Sequence, residues 1–189
     1  MIGVVLAGGA STRFGGTPKG LALLNGRAMA HRIAGILSTV CNRVLVEAAP
    51  GAGYEAIGLP VIYAAPEHAG KGPLAAVAAG LAHASGGERV AFAPCDMPLL
   101  TSAIYQTLAD AGGIGAYART ALGVEPLVAV LSKDVQTQVQ SALLASSIPR
   151  THTVFDAAGA RPVDFADVSA FANVNTPADL ARIEAALRV

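Results

Sequence analysis

The chain is poor in the residues that mark several protein classes. It has no tryptophan, two cysteines and only 5% aromatic side chains, and its 13 basic residues balance 13 acidic ones. Zero net charge leaves no global field to favour nucleic acid or a membrane surface, so any positive potential must be local. Cys41 and Cys95 form no C-x-x-C pair and no metal-ligand spacing with the four histidines. The hydrophobic fraction of 53% is inflated by alanine, and no stretch supplies the ~20 apolar residues that span a bilayer. The N-terminus lacks the basic region of a signal peptide. Unpaired cysteines without an export signal point to a reducing cytoplasm. There is no internal repeat, low-complexity tract or linker, so residues 1–189 are expected to form one domain.

What is present is concentrated near the start, in Gly3 to Gly20, G-V-V-L-A-G-G-A-S-T-R-F-G-G-T-P-K-G. Val4, Val5 and Leu6 are an unbroken apolar run, suited to a central parallel strand buried on both faces. Ala7, Gly8, Gly9 and Ala10 follow with no bulky side chain, so the backbone can close on a ligand and offer its N–H groups to anionic oxygens. Ser11 and Thr12 add hydroxyls, Gly15 and Gly16 permit a second bend, and Arg13 and Lys19 bring two cations. The segment reads as a polyphosphate cradle. It is not a P-loop, because Pro18 precedes Lys19 and Gly20 follows it, and adjacent Gly8 and Gly9 break the dinucleotide fingerprint. Looser G-x-G-x-x-A matches at Gly51 and Gly70 are chance in a chain with 21 glycines. A Gly-rich structural turn is the plain alternative, with Arg13 and Lys19 as solvated cations.

Beyond the loop, apolar and helical patterns alternate, as in βαβ units around a parallel sheet. The pattern predicts helices over 28–40, 72–85, 101–111 and 133–146, and strands over 43–48, 59–63, 90–93, 114–119 and 125–131. A short strand is expected at 163–165. Pro73 suits a first helical turn. Thr176, Pro177 and Asp179 form a capping-box start to a C-terminal helix. The order predicts an α/β, three-layer α/β/α sandwich with a mostly parallel central sheet, whose ligand crevice lies at the carboxyl ends of the strands. The Gly8 loop and Asp96 both follow strands directly, so both should open on that crevice.

Asp96 lies between Pro94 and Pro98, just past a buried strand. A lone carboxylate there can hold Mg²⁺, which keeps several waters and shares its octahedron with phosphates. It can equally cap a turn. Cys95 beside it reads as a small buried hydrophobe. Glu47 ends the second strand, as a surface residue or as an acceptor for N–H groups of a ligand. Asn173 and Asn175 offer amides for a ligand, or shape the turn before the capped helix. Nothing in their spacing ties Arg150, His152 or Arg161 to a ligand phosphate. His68 and Lys71 read as surface residues without a role, and His31 and His83 as structural.

L-A-G-G-x-S-x-R-x-G-G-x-x-K, Gly72-Pro73-Leu74, P-C-D-x-P (residues 94–98) and F-x-N-V-N-T-P (171–177) occur in that order. Together they resemble the molybdenum cofactor guanylyltransferase (MobA) family of nucleotidyltransferases, over Gly3 to Leu187. The resemblance implies a nucleotidyltransferase fold and a Mg²⁺-dependent enzyme that moves GMP from GTP to molybdopterin, releasing pyrophosphate. It implies that Leu6, Ala7, Gly8, Gly9, Lys19, Glu47, Gly72, Pro73, Leu74 and Asp96 bind GTP. Arg13, Lys19 and Asp96 would carry catalysis, Asp96 would hold the metal, and Asn173 and Asn175 would meet molybdopterin. Proteins that supply or receive the cofactor could make transient contact. Two positions depart from the pattern: Glu47 stands where the family often has asparagine, and Ala64 where it often has aspartate. The rival readings are a sibling enzyme using CTP or another phosphorylated acceptor, and a nucleotide- or cofactor-binding protein without turnover. The first is favoured mildly by Thr17-Pro18-Lys19 and opposed by Gly9. The second is opposed by the presence of Arg13, Lys19 and Asp96 together.

Overall fold

A computed structural model describes residues 1–8 and 18–187. Its centre is β1 (Ile2–Leu6), every residue of which is buried. Such a strand must be flanked on both edges and covered on both faces. Parallel β4 (Arg43–Glu47) and parallel β6 (Arg89–Pro94) supply the edges. Among the described residues the sheet has seven strands in the order β5-β4-β1-β6-β8-β7-β9, completed by β5 (Val61–Ile62), β7 (Gly115–Thr120), β8 (Gly123–Ser132) and β9 (Arg161–Asp164). Only β8 runs against the rest, antiparallel to both β6 and β7. The small hairpin of β2 (Leu23–Leu24) and β3 (Arg27–Ala28) lies outside this sheet.

Alternate side chains of the strands feed two cores. On one face Val5, Val46, Ala91 and Ala93 meet α1 (Met29–Leu37) and α3 (Ser102–Asp110). On the other, Val4, Leu6, Leu45 and Phe92 meet α2 (Pro73–Ala82), α4 (Gln136–Leu144) and α5 (Thr151–Ala157). α1 turns Ala30, Ile33, Ala34 and Leu37 to the sheet, the 3-4 spacing of one helix face. Gly80 lets α2 sit flush on the sheet, since a methyl group there would stand 2.6 Å from the Phe92 ring. α6 (Pro177–Ala186) closes a smaller cluster of Leu24, Met29, Val174 and Ile183.

The three-layer sandwich is therefore the one expected, with differences in detail. α5 falls where the sequence pattern shows no helix; its seven residues bury only Val154 and Phe155, too few to show a period. The 133–146 helix opens with a 3₁₀ turn, Lys133–Val135, and the last strand is Arg161–Asp164 rather than 163–165. The capping box at Thr176 is present with both of its hydrogen bonds. Thr101 stands at the N-cap of α3, but its side chain makes no capping bond.

Candidate functional site

Strand register decides what meets at the carboxyl edge. Leu6 of β1 pairs with Glu47 of β4 on one side and with Pro94 of β6 on the other. Gly8 and Asp96 therefore each lie two residues beyond the same rung. The rung is extended by Ala7 N–H donating to Glu47 C=O (2.8 Å) and Cys95 N–H donating to Leu6 C=O (3.0 Å).

On the β6 side of Gly8 the rim is polar. Lys19 Nζ donates to Asp96 Oδ2 at 2.9 Å and to Asn175 Oδ1 at 2.9 Å. Three motifs from widely separated parts of the chain thus converge on one ammonium group. Backbone contacts hold them there. Val174 N–H donates to Asp96 C=O (2.8 Å), and Asp179 Oδ2 accepts from the Asn175 N–H (3.0 Å). Lys19 opens a 3₁₀ turn, Lys19–Leu21, pinned by Gly20 N–H donating to the Tyr54 hydroxyl (3.1 Å). A methyl group on Gly20 would come within 2.7 Å of that hydroxyl and 3.0 Å of Cys95 Sγ, so only glycine fits. Cys95 is buried as expected, and burial pushes its thiol up to about 12.

On the β4 side of Gly8 a cavity of about 510 Å³ opens on the α2 face of the sheet. Leu6, Gly8, Glu47, Gly72 and Pro73 line it, as does Leu127. Gly72 takes φ 69°, a backbone that favours glycine, and turns the chain into α2. Glu47 is not a surface glutamate. It is 4% exposed, and its Oε2 is buried with no hydrogen-bond partner among the described residues. Burial raises its carboxyl above the ordinary range, and the Gly8 N–H offsets part of that rise.

Not every expected residue reaches the rim. Leu74 is 1% exposed and packs in the α2 core, and Ala7 is also buried away from the cavity lining. Asn173 is half-buried, and its side chain makes no hydrogen bond among the described residues. Gly9 and Arg13 lie outside the described residues. Arg161 sits at the opposite end of the sheet: it opens β9 level with Ala116 of β7 and donates to Ala111 C=O, so it cannot serve this rim. His68 and Lys71 are not loose surface residues. His68 is buried in the cavity wall, and Lys71 Nζ donates to Leu143 C=O at 2.8 Å.

One residue the motifs do not reveal is Glu125. Burial, and then the negative charge of Asp96, raise its carboxyl. It stands near Asp96 because β8 is antiparallel, which brings the start of β8 beside the end of β6. Tyr117 and Ala118 pair with Ala129 and Glu125, so 126–128 bulge from the ladder and Leu127 reaches the cavity. Gly123 and Pro126, a strand start and a residue that cannot donate to a ladder, are the only sequence hints.

The described residues thus form an α/β sheet whose carboxyl edge carries an apolar cavity beside a lysine–aspartate–asparagine cluster. Solved structures share this fold from end to end. The molybdopterin-guanine dinucleotide biosynthesis protein A from Archaeoglobus fulgidus superposes with a TM-score of 0.77 over 100% of this chain and 99% of its own, at 22% identity. A 4-diphosphocytidyl-2C-methyl-D-erythritol synthase from Anaerococcus prevotii does so with a TM-score of 0.74 over 100% and 98%, at 11% identity. The fold is that of the nucleotidyltransferases. A family model described as MobA-like NTP transferase domain matches residues 3–158. A molybdenum cofactor guanylyltransferase of Yersinia pseudotuberculosis is 35% identical over 181 residues, 94% of this chain and 91% of its own. The chain belongs to the MobA-like NTP transferase family.

Proposed function

We propose that this protein transfers GMP from GTP to molybdopterin, or to its molybdenum-loaded form, and releases pyrophosphate. The convergence of Lys19, Asp96 and Asn175 at the end of the central strands carries the reading. Family membership and the guanylyltransferase relative support it. In this reaction an oxygen of the acceptor phosphate bonds to the α-phosphorus of GTP. The bond from that phosphorus to the β-bridging oxygen breaks, and pyrophosphate leaves with the electron pair. The acceptor phosphate is already ionised, so no side chain need remove a proton. The obstacle is the meeting of two anions, and catalysis is positioning and charge neutralisation.

The cavity beside Gly8 takes the base, with Glu47 as acceptor for the N1–H and amino group of guanine. Cytosine has no such donor pair, so Glu47 favours GTP over CTP although it replaces the family's frequent asparagine. Lys19, already shared between Asp96 and Asn175, offers its charge to the triphosphate, and so does Arg13 from the loop. Asn175, and Asn173 beside it, face the acceptor.

Asp96 would hold Mg²⁺. Among the described residues no three His, Cys, Asp or Glu side chains group together as a protein-made metal cage. A single carboxylate suits an ion that keeps its waters and is otherwise bound by substrate phosphates. Bound there, the ion supplies positive charge to the phosphate oxygens in the transition state. No helix among the described residues is long and apolar enough to cross a membrane, and we place the reaction in the cytoplasm.

The test is pyrophosphate release from each of the four nucleoside triphosphates, with and without molybdopterin and Mg²⁺. GTP with molybdopterin and Mg²⁺ should be the productive combination. A preference for CTP would move the protein to the sibling activity, and binding without acceptor-dependent release would make it a carrier.

A further inference from the structure

The apolar cavity has a second polar side chain that the reading above does not use. Of the described residues lining it, only Glu47 and His68 have polar side chains; the others are glycine, alanine, proline and leucine. His68 is 8% exposed, among the few buried polar residues described. Its backbone is pinned: the His68 N–H donates to Ala65 C=O (2.8 Å), and its carbonyl accepts from the Lys71 N–H (3.1 Å). Lys71 in turn anchors the segment to Leu143. The ring makes no hydrogen bond among the described residues. Imidazole has an N–H to give in either protonation state, so the ring can serve a ligand that enters the cavity.

The two groups reach the cavity from neighbouring elements. Glu47 ends β4, and His68 ends the 3₁₀ turn Pro66–His68 that follows β5, the strand beside β4. Ala64, two residues past β5, offers no hydrogen-bonding side chain. An acceptor and a donor in an otherwise apolar cavity are the arrangement that selects a ligand edge. We propose that His68 is a second base-selecting residue, donating its N–H to O6 of guanine while Glu47 accepts from N1–H and the amino group. This rests on the GTP reading and extends it. Adenine presents an amino group where guanine has O6, so the same N–H would face a donor.

The experiment is calorimetric binding of GTP, CTP, inosine triphosphate and 6-thioguanosine triphosphate, in which sulfur is a poorer acceptor than O6. The proteins are wild type, His68→Ala, His68→Gln and Glu47→Ala. Wild type should bind GTP more tightly than the thio analogue. His68→Ala should weaken GTP about tenfold, the scale of one hydrogen bond, and bind the two nucleotides alike. His68→Gln, which keeps a donor, should recover most of the loss. The GTP-to-inosine ratio, which reports on the amino group and Glu47, should stay as in wild type. If His68→Ala binds GTP within twofold of wild type, or if wild type binds the thio analogue as well as GTP, the proposal is overturned. The second comparison needs no variant to fold. A wild type without a preference for GTP over CTP overturns the GTP reading, and Glu47→Ala that keeps the full preference overturns the role of Glu47. If Glu47→Ala loses that preference while His68→Ala is silent, only the role of His68 fails.

Discussion

Glu47→Gln should make the protein more stable and a worse GTP binder. Glutamine keeps the shape of the side chain and removes the charge. In the ligand-free protein the Glu47 carboxylate is 4% exposed, and Oε2 has no partner among the described residues. An unsatisfied buried polar group costs about 1–3 kcal/mol, and more when it is charged than when it is a neutral amide. Relief of about 1–3 kcal/mol at neutral pH corresponds to a rise in Tm of roughly 2–10 °C for a chain of this length. The sign of the pH dependence follows from the raised carboxyl, whose first cause is burial. A proton is held more tightly in the folded than in the unfolded state. Stability linked to Glu47 is therefore fully present below its ordinary value of 4.5 and is lost as pH rises through the folded value. Wild type should lose stability across that window, the variant should not, and the two curves should meet in acid. Thermal melts of the ligand-free proteins across the acid-to-neutral range measure this. Calorimetry should show GTP affinity lowered about 10- to 100-fold, the loss of one charge-assisted hydrogen bond, with CTP affinity little changed. A variant no more stable than wild type at neutral pH, or a gap that persists in acid, refutes the burial argument. Unchanged GTP affinity refutes the base-reading role.

Asp96→Asn should fold normally, because the bond from Val174 N–H to the residue-96 carbonyl is a main-chain contact; Mg²⁺-supported pyrophosphate release should vanish, and equal activity would place the metal elsewhere. Gly80→Ala would put a methyl group 2.6 Å from Phe92 Cε1 and 3.1 Å from Val4 Cγ2, both fully buried. Overpacking of this kind costs about 1–3 kcal/mol, more than the helix propensity alanine gains, so a thermal melt should shift downward; an upward shift refutes it. Cys41 and Cys95, buried and with thiols raised to about 11 and about 12, should resist alkylation at neutral pH until the protein is denatured. Mass spectrometry of native protein treated with iodoacetamide checks this.

The layers and the rim were legible in the sequence because they depend on local pattern. A buried run such as Val4-Val5-Leu6 reads as a central strand, and strands joined by a single helical crossover run the same way. Whatever follows β1 and β6 must then open on one edge, which brings Gly8 and Asp96 together. The capping box was equally local, spanning Thr176 to Asp179. Tertiary structure decided the rest. Whether Glu47 faced water or a cavity depended on which strand packed beside β4 and which helix covered it. Leu74 and His68 exchanged expectations for the same reason: helix rotation put one into the core, and the turn after β5 put the other into the cavity. Glu125 reached the neighbourhood of Asp96 only because β8 reverses direction, which no periodicity records. The contact between Lys19 and Asn175 closes a separation of 156 residues. Sequence alone supplied the chemical groups and the edge on which most would gather. Their partners, burial and charge environment came from packing between distant segments.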